Sequence, residues 1–150
     1  MNKDKIGMFP GSFDPIHDGH IDIIKRTSKL FDKLYVVVSI NIYKKQVTDR
    51  NEIFLNVKKA IKQLKLNNVE VAINNELTID FAKKHNCKWI VRSIRDKKDM
   101  QYELTMAQSN HYLDENIETL LLVANEKLKD ISSSGMKMVK ENIEKIKREK

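Results

Sequence analysis

Phe9-Pro10-Gly11-Ser12-Phe13-Asp14-Pro15-Ile16-His17-Asp18-Gly19-His20 joins a short apolar run to an amphipathic helix. The stretch holds both prolines, two of the four glycines and two of the four histidines, so turn-forming residues gather at one junction. Ahead of it, Ile6-Gly7-Met8-Phe9 reads as a short buried strand, which Pro10 is expected to stop because it lacks an N–H donor. Behind it, Ile21, Ile24, Leu30 and Phe31 fall on one face of a helix over residues 19–31, with Lys25, Arg26 and Lys29 outward. A strand that ends in a Gly-containing turn and feeds a helix is suited to holding phosphate. The helix start offers unpaired N–H groups and a partial positive charge.

Working outward, Leu34-Tyr35-Val36-Val37-Val38-Ser39-Ile40 is a nearly continuous apolar run, the pattern of a parallel strand covered on both faces. A polar loop over residues 41–47 carries Lys44 and Lys45. Thr48 is placed to cap the next helix, whose first turn contains Asp49 and whose buried stripe is Ile53, Val57, Ile61 and Leu64. Asn67-Asn68 reads as a turn before a strand over residues 69–73, followed by a short helix over 78–85 and a strand over 88–91. Arg92 and Arg95 are expected just beyond that strand. A helix over 99–113 has Leu104, Ala107 and Tyr112 as inward candidates, then come a strand over 117–123 and a last helix from Ser132 to about residue 147. The alternation predicts an α/β fold, one domain over residues 1–150, with a five-stranded parallel sheet flanked by helices. Ligands of such sheets bind beyond the strand C-termini. The clusters at 11–20, 92–95 and 132–134 all follow strands and are expected to share one cleft.

Composition narrows the function. Hydrophobic residues are 41% and charged residues 33%, as in soluble globular chains, and no apolar run approaches the ~18–20 residues of a membrane helix. The lone Cys87 fits a chain without structural disulfides, and a cytoplasmic location is expected. The net charge of +7 suits small anionic substrates as well as nucleic acid. Much of the lysine excess lies on helical segments, where it reads as a solvated face, and no nucleic-acid motif accompanies it. The G-x-x-x-x-G-K-[ST] loop and the G-x-G-x-x-G fingerprint are both absent. Cys87 and the histidines lack zinc spacing, so no protein-held metal is expected.

His17-x-Gly19-His20, preceded by Gly11-Ser12-Phe13-Asp14-Pro15, matches the HxGH signature of the nucleotidyltransferase superfamily. Arg92-Ser93-Ile94-Arg95-Asp96 with Asp99, Tyr102-Glu103, Ala107 and Asn110 forms a second block, and Ile131-Ser132-Ser133-Ser134 with Lys137 a third. Together, from about residue 8 to 140, they resemble the pantetheine-phosphate adenylyltransferase family, whose fold is Rossmann-like. The resemblance implies adenylyl transfer from ATP to 4′-phosphopantetheine, giving dephospho-coenzyme A and pyrophosphate by direct in-line attack. It also implies Mg²⁺ bound through the ATP phosphates and a homohexamer.

By the same resemblance, His20, Lys44 and Arg95 are the catalytic candidates, and Ser12, Lys44, Thr78 and Arg92 meet the acceptor. The ATP contacts are Ser12, Phe13, His17, His20, Ser93, Ile94, Arg95, Glu103, Leu128, Lys129, Asp130, Ile131, Ser132, Ser133 and Ser134. From the residues alone, His20 reads first as a helix N-terminal capping or packing residue, Lys44 as an exposed loop lysine and Glu103 as a solvated or Arg-paired carboxylate. The serines read as a helix cap. Competing functions are another HxGH enzyme, acting on nicotinate mononucleotide or transferring cytidylyl groups, and a basic RNA-binding module that keeps only the fold.

Overall fold

The structure is a computed structural model and describes residues 4–40, 48–125 and 133–149. Among these residues five strands alternate with five helices: β1 (Ile6–Gly11), α1 (Asp18–Ser28), β2 (Lys33–Ser39), α2 (Arg50–Gln63), β3 (Val69–Asn74), α3 (Thr78–Lys84), β4 (Trp89–Ile94), α4 (Lys97–Leu113), β5 (Glu118–Val123) and α5 (Ser133–Arg148). All pairings are parallel, in the order β3-β2-β1-β4-β5. The expected Rossmann-like α/β sheet is therefore what the chain forms.

The alternation of side chains along β2 supplies both faces of the core. Leu34, Val36 and Val38 join Phe9, Phe13, Ile23, Ile24, Ile53, Val57 and Ile61 on the side of α1 and α2. Tyr35 and Val37 join Met8, Ile79, Phe81, Ala82, Cys87 and Ile90 on the side of α3. Each such buried aliphatic or aromatic side chain contributes about 1.5–3 kcal/mol, which is why the apolar run of β2 lies at the centre of the fold.

Several boundaries differ from the sequence reading. Pro10 does not stop the first strand. β1 keeps its register with β2 through Pro10–Val37 and Gly11–Val38, while its pairing with β4 is confined to Gly7–Trp89 and Met8–Ile90. The sheet thus opens between β1 and β4 past Met8, at the point where strand order reverses, and a residue without an N–H is tolerated there. Helix α1 ends at Ser28, and its buried face is Ile23, Ile24, Thr27 and Ser28, while Leu30 is 54% exposed. Asn68 explains that stop, because its Nδ2 donates to Ser28 O at 2.7 Å and Phe31 O at 3.1 Å. Asp49, not Thr48, holds the cap position of α2, without a side-chain cap bond.

The fourth strand runs three residues further than expected, so Arg92 lies inside β4 and only Arg95 lies beyond it. Helix α4 starts earlier because Asp96 caps it, accepting from the Asp99 N–H at 2.8 Å. Its apolar candidates are corrected as well: Leu104 is 49% and Tyr112 90% exposed, Ala107 is half-buried, and the buried residue of the helix is Glu103.

Candidate active site

The turn after β1 is held by packing. Phe13 has a positive φ of 50° and is 1% exposed, so a bulky side chain sits in a conformation that costs it energy. Its ring meets Phe9 edge-on at 5.5 Å and His20 at 4.8 Å, and a Cβ on Gly11 would come within 3.1 Å of it. Gly11 therefore lets the phenyl ring close over the end of β1.

At the start of α1, His17 is the cap residue and His20 the third helical residue. The Gly19 N–H donates to His17 Nδ1, and the His17 N–H donates to His20 Nδ1, both at 3.1 Å. This is a capping box in which two imidazoles replace the usual hydroxyl and carboxylate. The rings stack with centroids 3.7 Å apart. A neutral His20 that accepts at Nδ1 carries its proton on Nε2, which makes that edge of the ring a donor. Capping and donation are thus compatible roles for one side chain.

Across the opening between β1 and β4, Arg92 spans the gap. Its Nε and one terminal nitrogen donate to the two Glu103 oxygens at 2.9 and 2.7 Å, and the other terminal nitrogen donates to Pro10 O at 2.6 Å. Three of its five guanidinium N–H groups are committed by these bonds, and two remain among the described residues. Glu103, 5% exposed, is neither solvated nor aimed at solvent: both its oxygens face Arg92. The paired fork fixes the guanidinium plane rather than supplying a mobile charge.

Arg95 is different. Its side chain is 69% exposed, and its Nε and backbone N–H meet Asp99 Oδ2 at 3.3 and 3.1 Å. Such an exposed pair contributes at most about 1 kcal/mol and releases readily. Arg95 borders an open cleft of about 470 Å³ lined by Ile94, Met100, Leu104 and Val123 beside Asp96 and Lys97.

Ser12 and Ser93 are half-buried at the ends of β1 and β4, Ile94 is buried, and half-buried Thr78 opens α3. Asp14 Oδ2 accepts from the Thr48 N–H at 3.3 Å, which ties the first turn to the start of α2. Ser133 and Ser134 begin α5. Lys44, Leu128, Lys129, Asp130, Ile131 and Ser132 lie outside the described residues. Burial pushes the Cys87 thiol up to about 12, so it is a packed, inert group under α3 and no nucleophile.

Two residues near the strand ends escaped the sequence reading. Arg26 donates to Asp22 at 3.1 Å and to Val123 O at 3.0 Å, fastening α1 to the end of β5. Arg50, one residue past the cap of α2, reaches the ends of β2 and β3. Arg26 reads from the sequence only as an outward residue of its helix and Arg50 draws no sequence reading, because only their long-range partners distinguish them.

The sequence profile described as cytidylyltransferase-like matches residues 8–139. A phosphopantetheine adenylyltransferase of Clostridium botulinum (strain Alaska E43 / Type E3) is 44% identical over 135 residues, covering 90% of this chain and 84% of that protein. The phosphopantetheine adenylyltransferase of Streptococcus pneumoniae (strain Taiwan19F-14) is 43% identical over 136 residues, covering 90% and 83%. Among solved structures, the lipopolysaccharide core biosynthesis protein of Thermoplasma volcanium GSS1 superposes with a TM-score of 0.57 at 22% identity, over 83% of this chain and 98% of that one. Pantoate-beta-alanine ligase of Francisella tularensis does so with 0.57 at 12% identity, over 93% and 70%. At those identities the two structures speak for the fold alone.

Proposed function

The chain belongs to the phosphopantetheine adenylyltransferases of the cytidylyltransferase-like family, and on that premise we propose that it transfers the adenylyl group of ATP to 4′-phosphopantetheine. A phosphate oxygen of the acceptor attacks the α-phosphorus in line, the bond to the β-phosphate breaks, and pyrophosphate leaves. No covalent enzyme intermediate forms. The products are dephospho-coenzyme A and pyrophosphate.

The observation that carries this reading is the His17–His20 capping box, which leaves His20 with a donating Nε2–H at the start of α1. Adenylyl transfer asks little of a protein beyond positioning and stabilisation of charge on the reacting phosphate. His20 meets that need by donating to an α-phosphate oxygen as charge develops there. Ser12 adds its hydroxyl, and the N–H groups of the α1 start add their dipole. Lys44 meets the attacking phosphate, with Thr78 on the acceptor side. The two remaining donors of Arg92 face the acceptor, and Glu103 acts through Arg92 by fixing its plane. On the nucleotide side, Phe13, His17, Ser93 and Ile94 border ATP. Arg95 leaves Asp99 for a phosphate, and the segment 128–134 with its serines receives the β- and γ-phosphates.

Among the described residues no three His, Cys, Asp or Glu side chains gather as a metal site. Mg²⁺ would be carried on ATP phosphate oxygens, where it would supply charge neutralisation. No helix among the described residues is long and apolar enough to cross a membrane. We assign the enzyme to the cytoplasm and to a homohexamer, with no nucleic-acid partner.

The test is pyrophosphate release from ATP with a panel of phosphorylated acceptors. Turnover with 4′-phosphopantetheine is expected. Turnover with nicotinate mononucleotide alone overturns the acceptor assignment, and a salt-steep RNA affinity without any turnover overturns the enzyme.

A further inference from the structure

Arg50 opens α2, yet its guanidinium is bonded to the ends of two strands. One terminal nitrogen donates to Asn74 O at 2.6 Å and lies 3.5 Å from Val38 O, and the other donates to Asn75 Oδ1. Among the described residues no carboxylate pairs with it, and its buried Nε has no hydrogen-bond partner there. A cation held by neutral carbonyl groups gains little as a charge. What it gains is geometry, because a planar fork fixes several acceptors at once.

The segment it grips is itself ordered. Asn74, 5% exposed, donates through Nδ2 to Glu76 O and accepts at Oδ1 from the Glu76 N–H, both at 2.9 Å. This side-chain turn shapes the connection from β3 to α3. Glu76 in turn pairs with Lys84 at the far end of α3. The connection ends at Leu77, and Thr78 is the first residue of α3.

The placement of these bonds is selective. Arg50 ties together the end of β2, the start of α2 and the end of β3. The connection from β2 to α2 carries Lys44, and the one from β3 to α3 delivers Thr78. The second of these lies among the described residues, and the reading above gives Thr78 to the acceptor. Arg95, past the end of β4, lies on the other side of β1 in the sheet order β3-β2-β1-β4-β5, as does Arg92, which Glu103 and Pro10 already hold.

We infer that Arg50 is a positioning residue for acceptor recognition, holding in place the connection that delivers Thr78 by clamping the C-terminal ends of β2 and β3. It touches neither substrate. The inference rests on the proposed adenylyl transfer.

Initial rates with ATP and 4′-phosphopantetheine varied separately provide the test. Arg50→Ala is expected to raise the acceptor KM about tenfold, with kcat and the ATP KM within about twofold, because a misplaced wall weakens one substrate only. Arg50→Lys, which keeps a donor but not the fork, is expected to fall between. Asn75 is exposed, so Asn75→Ala removes one of the clamp's partners without threatening the core, and it is expected to raise the acceptor KM about two- to threefold. If Arg50→Ala does not fold, Asn75→Ala decides. Equal changes in both KM values, a fall in kcat alone, or no change in a folded variant overturns the inference while the function stands. A wild-type enzyme inactive with 4′-phosphopantetheine overturns the functional reading itself and the acceptor role with it.

Discussion

The His20 ring is oriented by a bond from its own helix cap: Nδ1 accepts from the His17 N–H at 3.1 Å, and the ring lies between His17 and Phe13. An imidazole fixed in this way needs no reorganisation to donate from Nε2, which is where catalytic power comes from in electrostatic stabilisation. His20→Ala is expected to lower turnover roughly 10²–10³-fold while largely sparing ATP affinity, as for the loss of one transition-state donor. Steady-state kinetics beside a direct ATP-binding measurement check this. Lost affinity with unchanged turnover would remove His20 from the chemistry. The same side chain shows how far a single residue was legible. Its HxGH context identified it, but the tautomer depends on a backbone N–H three residues earlier that only the folded turn aims at the ring.

Among the elements, β1 is paired on both sides at its start and met there by the close approach of an aromatic ring. A Cβ on Gly7 would lie 2.7 Å from the Phe31 ring, and that ring is itself packed on Trp89 at 5.7 Å. Phe31 is 7% exposed and has little room to retreat. Gly7→Ala is therefore expected to destabilise the protein by about 1–3 kcal/mol, the usual cost of overpacking. The shift should appear as a lower urea midpoint with an unchanged slope, and a neutral result would mean that Phe31 can move. Helix α4 shows the opposite situation. Its apolar residues Met100, Tyr102, Leu104, Met106 and Leu113 are each at least 38% exposed, and a carboxylate fills the buried position. The Arg92–Glu103 pair, not an apolar stripe, marks the face it turns inward.

At the scale of the molecule, those residues on α4 are matched by Met136, Met138, Val139, Ile143 and Ile146 on α5, all exposed. Exposed apolar side chains of this kind are what contact with another copy of the chain would cover, and they support the proposed homohexamer. Sedimentation equilibrium is expected to give a species of about six chains, and introducing charge at Leu104 and Tyr112 to shift it toward smaller ones. A wild-type monomer at micromolar concentration would overturn the homohexamer.

The sequence by itself determined the order of strands and helices, the central apolar strand β2, the turn after β1 and the residues of the HxGH signature. These are local properties, set by periods of two and 3.6 residues and by the backbone limits of Gly and Pro. Tertiary structure alone decided where the sheet opens, which lets Pro10 remain in β1 and places Arg92 within β4. Arg92 meets Glu103 across 11 residues of chain and Pro10 across 82, and Arg50 meets Asn74 across 24. No local pattern encodes a partner at such distance. It is set by strand order, because the crossover after β3 brings β4 beside β1 and leaves their C-terminal ends apart.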